Sequence, residues 1–185
     1  GLEVYGIKFE KRLADLCRRN ITLNKFKATI FNNDIATSIG DLKSVSFDHV
    51  FMNPPYFKKN SVKKSPIRSS NQAKIETVPL SEWFSVAKKR CKPKGKVTII
   101  QRVERLPEIM ECLSGHFGQI TVQPISSFKD VSPKTVIVQA TKSSSAAFTL
   151  LAPKTVHRRD TVSGKVVYED ELKKVLRSGH PLLLN

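Results

Sequence analysis

Several residue types and patterns are scarce in this 185-residue chain, and each shortage excludes something. No apolar run approaches the ~20 residues that a bilayer-spanning helix needs, so no transmembrane segment is expected. The three cysteines, Cys17, Cys91 and Cys112, lie far apart and form neither a C-x-x-C pair nor a Cys/His cluster. Each falls on the apolar stripe of an expected helix, which reads as buried reduced thiols in a reducing cytoplasm. The four histidines are scattered, none with a Cys, Asp or Glu at ligand spacing, so no metal is expected. Glycine is sparse and nowhere forms a G-x-G run, the usual mark of a phosphate-cradling loop. The opening residues read as a strand, not as a signal peptide, and a cytoplasmic location is expected.

Acidic residues are also few: 16 Asp and Glu stand against 32 Lys and Arg, a formal net charge of +16. Such an excess suits a polyanionic partner, because neutralising phosphates releases counterions. A basic but merely solvated surface is the alternative. An anionic membrane is the weaker fit, since no basic amphipathic helix stands out.

The length suits one domain with a hydrophobic core. Residues 2–9 read as a strand and 10–24 as a helix, with Leu13, Leu16, Cys17 and Ile21 on one face. Strands are expected at Ala28–Phe31 and Phe47–Met52, the second ended by Asn-Pro-Pro. Residues 57–79 show no helical or strand period and are expected to be a basic flexible loop. A helix over Leu80–Lys92, with Trp83, Phe84, Ala87 and Cys91 inward, is stopped by Pro93 and Gly95. The strand Lys96–Gln101 and a helix over Glu104–Phe117 follow. Gln119–Ile125 and Thr135–Thr141 have no helix between them and are expected to pair antiparallel near the edge of the sheet. Residues 148–185 read as a C-terminal extension with a strand-like Lys165–Tyr168 and a short helix. Strands alternating with helices predict an α/β fold on a mostly parallel sheet.

Asn53-Pro54-Pro55-Tyr56, directly behind an apolar strand, carries the chemistry. An exocyclic amine such as adenine N6 is a poor nucleophile because its lone pair is delocalised into the ring. Hydrogen bonds accepted from the NH2 group draw the nitrogen toward tetrahedral geometry and free that lone pair. The Asn53 side-chain oxygen and the Pro54 carbonyl are suitable neutral acceptors. Pro54 and Pro55 bring no competing N–H and stiffen the backbone. Tyr56 can stack on a base. Ligands of open α/β sheets sit at the carboxyl ends of strands, which is where this segment falls.

From Asp48 to Phe57 the sequence resembles the fourth motif of amino-methyltransferases, Asp-x-hydrophobic-x-x-Asn-Pro-Pro-Tyr-Phe. The similarity continues through the following helix, Pro93-x-Gly95, the strand Val97–Ile100 and Arg102-x-x-Arg105-Leu106-Pro107-Glu108. It extends to the Phe117-Gly118 turn, Leu150-Leu151 and His157. Bacterial tRNA (adenine-N6)-methyltransferases of the small methyltransferase domain type are the most similar group. The resemblance implies a Rossmann-like class I methyltransferase fold, S-adenosyl-L-methionine as cofactor, and adenine N6 in tRNA or other structured RNA as the target.

The same resemblance exposes departures. Residues 2–9 match the family's second strand, so in its sheet order 3-2-1-4-5-7-6 the central first strand, with its Gly-rich loop, has no counterpart here. An incomplete stretch of a longer chain and a decayed homologue both fit that pattern. The acid that normally bonds the cofactor ribose is replaced by Lys8, and Glu10 is the substitute unless it serves only the helix dipole. Asp34, with Ile35, matches the contact to the cofactor adenine, unless Asp34 merely caps a turn, and Asn53 is expected to touch the cofactor as well as the acceptor amine. The rivals are a protein-glutamine N5-methyltransferase using the same turn, and a catalytically dead RNA-binding module. A protein substrate gives a charge of +16 less purpose.

The basic loop carries Lys58, Lys59, Lys63, Lys64, Arg68 and Lys74 before its first acid, Glu76. These six are candidate RNA contacts, and His157, Arg158 and Arg159 are further candidates to meet phosphate. Phosphate contacts carry affinity without reading sequence. Replacing Lys58, Lys59, Lys63 and Lys64 by alanine is therefore expected to weaken cognate and unrelated RNA by similar factors. The slope of log affinity against log salt should become shallower by about 0.7 to 0.9 for each phosphate left without its cation. Filter-binding titrations across salt concentrations check this, and an unchanged slope would move the RNA footprint elsewhere.

Overall fold

The computed structural model describes residues 2–36, 40–56 and 78–184. The six cations of the basic loop lie outside the described residues. Among the described residues, ten strands and four α-helices follow in chain order: β1 (Val4–Ile7), α1 (Lys11–Leu23), β2 (Ala28–Phe31), β3 (Phe47–Met52), α2 (Leu80–Arg90), β4 (Cys91–Arg102) and α3 (Leu106–Leu113). Then come β5 (Phe117–Ser126), β6 (Thr135–Lys142), β7 (Thr149–Leu150), β8 (Lys154–Thr155), β9 (His157–Arg159), β10 (Val166–Tyr168) and α4 (Asp170–Ser178).

The main sheet has the order β3-β4-β6-β5-β7, with β8 also on β5. β3 runs parallel to β4, while β6 runs antiparallel to both β4 and β5. The expected antiparallel pair is present, but β6 lies inside the sheet, between β4 and β5. The alternation that sequence shows in β4 decides its two faces. Val97 and Ile99 are buried together with Met52, Val122, Val136, Val138 and Ala140 in one core, against Leu80, Phe84 and Ala87 of α2 and Ile109 and Leu113 of α3. The residues between them face the other way and are largely polar. Lys96 donates to Gln139, Gln139 donates to the Thr98 hydroxyl, and Thr98 meets His49 Nε2 at 2.8 Å. His49 stacks on Phe51 with ring centroids 4.0 Å apart.

β1 and β2 form a separate parallel pair, in register from Val4↔Ala28 to Ile7↔Phe31. Among the described residues β1 has no strand on its other side. Side chains make the link instead: the Tyr5 ring contacts Phe31 and, 5.6 Å away, Phe47 at the start of β3. α1 covers the pair thinly, since Ala14 is its one buried residue and Leu16 is exposed.

Several boundaries differ from the sequence reading. α2 ends at Arg90, and Cys91 already belongs to β4. Pro93 and Gly95 do not close a helix; they lie in a bulge. The pairing jumps from Phe47↔Cys91 to His49↔Lys96, so residues 92–95 bow outward, with Lys94 at φ 62°. Phe117 starts β5 instead of ending α3. Cys91 is buried as expected, whereas Cys17 and Cys112 are only partly covered. The C-terminal extension is stitched to β5: Leu151 N–H donates to Val122, Val156 N–H to Ser126 and His157 N–H to Ser127.

This packing can be tested at Gly118 and at His49. A Cβ added at Gly118 would lie 2.1 Å from the Ser144 carbonyl oxygen, a backbone atom. Gly118→Ala should therefore destabilise the fold by about 1–3 kcal/mol in urea unfolding, the scale of local overpacking; a change of a few tenths would show that the backbone around Gly118, where the β5–β6 register shifts before Thr121, yields freely. His49 has its pKa held below its usual 6.5 by burial and, secondarily, by Lys96. The folded state then binds fewer protons than the unfolded state near that value, so stability rises with pH there. It should fall as pH drops below about 6.5, and His49→Gln should flatten that part of the curve. Melting temperatures of both proteins from pH 7.5 to 5 check the sign; parallel curves would remove His49 as the cause.

Candidate active site

The site grows from the way β3 ends. Its last ladder partner is Met52↔Ile99. The next two residues after Asn53 are prolines, which have no N–H to continue a ladder. The chain therefore leaves the sheet just where β4 continues through Ile100, Gln101 and Arg102. Met52 and Pro54 are buried, Pro55 and Tyr56 half-buried and Asn53 exposed. The alternation holds across the turn: Pro54 points into the core and anchors it, and Asn53 points out. No hydrogen bond among the described residues engages the Asn53 side chain, which leaves its oxygen available to a ligand.

Beneath the turn lies a residue that the sequence reading missed. Gln101 is fully buried. Its Nε2 donates to the Pro55 carbonyl at 3.1 Å and lies 3.5 Å from the Pro54 carbonyl. Its Oε1 accepts the Arg102 N–H at 2.9 Å. The signal was present: Val97, Ile99 and Gln101 share one parity of a strand, and a polar residue at a core position demands partners.

Apart from Asn53 at the end of β3, the residues expected to hold a cofactor lie beyond the ends of β1 and β2. Asn32 ties the two ends by donating to the Lys8 and Phe9 carbonyls. The strand stops at Ile7, so Glu10 does not extend it; it is the exposed residue that opens α1, its carbonyl accepting the Ala14 N–H. Asp34 Oδ1 accepts the Ala36 N–H at 2.9 Å in a tight turn. Asp34 and Ile35 are both half-buried. Among the described residues no hydrogen bond or ion pair joins Glu10 or Asp34 to the Asn53 turn.

Several cations near the turn or in the C-terminal extension are committed to protein partners. Arg102 pairs with Glu104 at 2.7 Å and holds that carboxyl below its usual range. Arg105 is buried and grips Glu108 through two nitrogens at 2.9 and 3.0 Å. His157, half-buried, packs against the rings of Phe128 and Tyr168. Arg158 faces Glu169 and Asp170 at 3.8 and 3.7 Å. Among the described residues no group of three His, Cys, Asp or Glu could hold a metal, and no helix is long and apolar enough to cross a membrane.

No family model matches the sequence, and no curated protein matches it. Solved structures do match. A predicted O-methyltransferase from Agrobacterium tumefaciens is 20% identical, with a TM-score of 0.71 over 93% of this chain and 76% of that one. A tRNA (m1A58) methyltransferase from Aquifex aeolicus is 12% identical, with a TM-score of 0.52 over 77% of this chain and 54% of that one. A 16S rRNA N2 G1207 methyltransferase of T. thermophilus, solved with AdoMet and guanosine, is 18% identical, with a TM-score of 0.50 over 77% of this chain and 32% of that one. At these identities the likeness is one of fold, and the fold of this chain is the Rossmann-like class I methyltransferase fold.

Proposed function

We propose that this chain forms part of an S-adenosyl-L-methionine-dependent methyltransferase that modifies adenine N6 in structured RNA, with tRNA the favoured target. The observation that carries the reading is the turn at the end of β3. Asn53 stands exposed, with its side-chain oxygen unengaged by described residues, over a backbone fixed by two prolines.

The residues present fit the cofactor in part. Among the described residues nothing engages Asp34 Oδ2 after Oδ1 has taken the Ala36 N–H, and a half-buried carboxylate of this kind suits an amine donor such as the cofactor adenine. Ile35 would pack against that base, and Glu10 would take the ribose contact. Lys8 offers no acceptor there, and no Gly-rich loop is present. When bound, S-adenosylmethionine supplies an electrophilic sulfonium methyl.

The chain's own residues prepare the acceptor amine. Asn53 Oδ1 and the Pro54 carbonyl would each accept an N6–H, turning the nitrogen lone pair out of the ring plane. Tyr56, half-buried, would stack on the base. Positioning and fixed dipoles suffice for this, without a general acid of unusual pKa. The RNA target is supported by the charge of +16, by the cations that follow Tyr56, and by RNA being the named substrate of two proteins of similar fold.

A second reading, an inactive RNA-binding module, draws on Lys8 and the missing Gly-rich loop. Calorimetric titration of the native protein with S-adenosylmethionine separates the two, since an inactive module gives no binding heat. For the favoured reading, Asn53→Ala removes an acceptor that matters most as the amine becomes tetrahedral. Turnover on an RNA stem-loop with an unpaired adenine should fall by roughly two to three orders of magnitude. Cofactor affinity should hardly change. Near-normal methylation by the variant would exclude adenine recognition at this turn.

A further inference from the structure

We propose that Gln101 is a positioning residue that clamps the Asn53–Tyr56 turn and keeps the Pro54 carbonyl free for the acceptor amine; the second half of this statement rests on the methyltransferase reading above. The clamp begins with what the prolines remove. After Met52↔Ile99 the β3–β4 ladder has no further partner, because Pro54 and Pro55 cannot donate. Their carbonyls remain, pointing into a region where Pro54 itself is buried. Buried carbonyls need donors. Gln101, fully buried and next but one after Ile99, supplies one from its side chain in place of the missing backbone ladder.

Chemistry fixes which way the amide lies. The Arg102 N–H needs an acceptor, so Oε1 faces it at 2.9 Å. Nε2 must then face the turn, where both neighbours are carbonyls, which accept hydrogen bonds and cannot donate them. β4 cannot shift to loosen the grip, since Gln101 is itself paired to Val136 of β6.

The distances are unequal, and the inequality has a functional meaning. Nε2 lies 3.1 Å from the Pro55 carbonyl and 3.5 Å from that of Pro54. The first is an ordinary hydrogen bond and the second a marginal one. The Pro55 peptide is held, while the Pro54 oxygen keeps acceptor capacity. A clamp that bound Pro54 firmly would compete with the substrate amine for that oxygen. Gln101 touches no substrate in this arrangement and acts only through the turn.

Gln101→Glu gives the discriminating test. A protonated carboxyl can reproduce the bonds of the amide, with its O–H donating to Pro55 and its other oxygen accepting the Arg102 N–H. An ionised carboxylate can only accept, and would face the Pro55 carbonyl lone pairs. Burial raises the pKa of such a carboxyl, so the clamp should be present at low pH and absent at high pH. Two readouts are followed from pH 5.5 to 9, each relative to the native protein: the amide 15N shift of Tyr56, whose peptide contains the Pro55 carbonyl, and kcat on an RNA stem-loop with an unpaired adenine. The 15N shift should move away from the native value as pH rises. The kcat ratio should fall along the same curve, by about a hundredfold, the scale for a misplaced reacting group. The KM for S-adenosylmethionine should stay within about twofold.

A Tyr56 shift that stays parallel to the native one overturns the clamp. A shift that titrates while the kcat ratio stays flat overturns its role in positioning the amine. If the native protein transfers no methyl at all while the Tyr56 shift still titrates, the methyltransferase reading fails and the clamp stands. Should Gln101→Glu not fold, Gln101→Met, of similar length and without a donor, carries the same two readouts. A native-like Tyr56 shift and native kcat in that variant would equally overturn the proposal.

Discussion

Paired with β6 from Lys96 through Arg102 and with β3 from His49 through Met52, β4 is the strand whose two-sided hydrogen bonding the rest of the molecule depends on. Its buried parity, Val97 and Ile99, meets both α2 and α3, so the helices take their positions from it. Its length matters as much as its burial. β4 outruns β3 at the end where β3 turns away, and Gln101 projects from that overhang. A strand that stopped at Ile99 would leave the prolines of the turn without a donor beneath them.

The turn inherits its exposure from this arrangement. Residues of a strand alternate between faces, and Met52 and Pro54 share the core-facing parity. Asn53 therefore points the other way with no further instruction from the sequence. The polar chain Lys96–Gln139–Thr98–His49 continues on that other face of the sheet, and Phe51 ends it with an exposed ring beside the site. One side of the sheet is a packed apolar layer and the other a hydrogen-bonded polar one. The Asn53–Tyr56 turn lies at the border where both end.

Some of this was legible in the sequence and some was not, for reasons that differ by residue. Pro54 and Pro55 announce themselves, because a missing N–H has the same consequence in any context. The Val/Ile alternation of β4 and the antiparallel pair β5–β6 were readable from period and spacing. Pro93 and Gly95 misled, since a helix stop and a strand bulge use the same residues. Only the pairing of His49 with Lys96 tells them apart, and pairing is not local. Gln101 was placed in the strand but passed over, because a polar residue at a strand end shows no burial until the turn that folds over it is known. The contacts of His157 with Phe128 and Tyr168, and of Arg105 with Glu108, depend on the fold and had no signal in the sequence. Glu10 and Asp34 were placed by resemblance, and the geometry adds the Asn32 tie and the Ala36 turn beside them.

The positive charge is divided in a way that composition could not show. At the start of β4, Arg90 donates to the carbonyls of Leu42, Lys43 and Val45, and the Lys142 ammonium binds those of Lys88 and Cys91. Lys92 is paired with Asp48, which is held below its usual pKa by that bond. These cations complete helix and loop ends, and Lys142 in particular sits where the last carbonyls of α2 would otherwise lack donors. Binding a carbonyl does not cancel a charge, however, so this end of the sheet remains a positive region. It lies at the opposite end of β4 from Asn53. A polyanion drawn by overall charge alone would have no reason to choose the end that carries the turn. On the proposed RNA target the choice would come from cations close to the turn itself; Arg102 and Arg105 are paired to Glu104 and Glu108, and the lysines and arginine that follow Tyr56 in sequence are the remaining candidates.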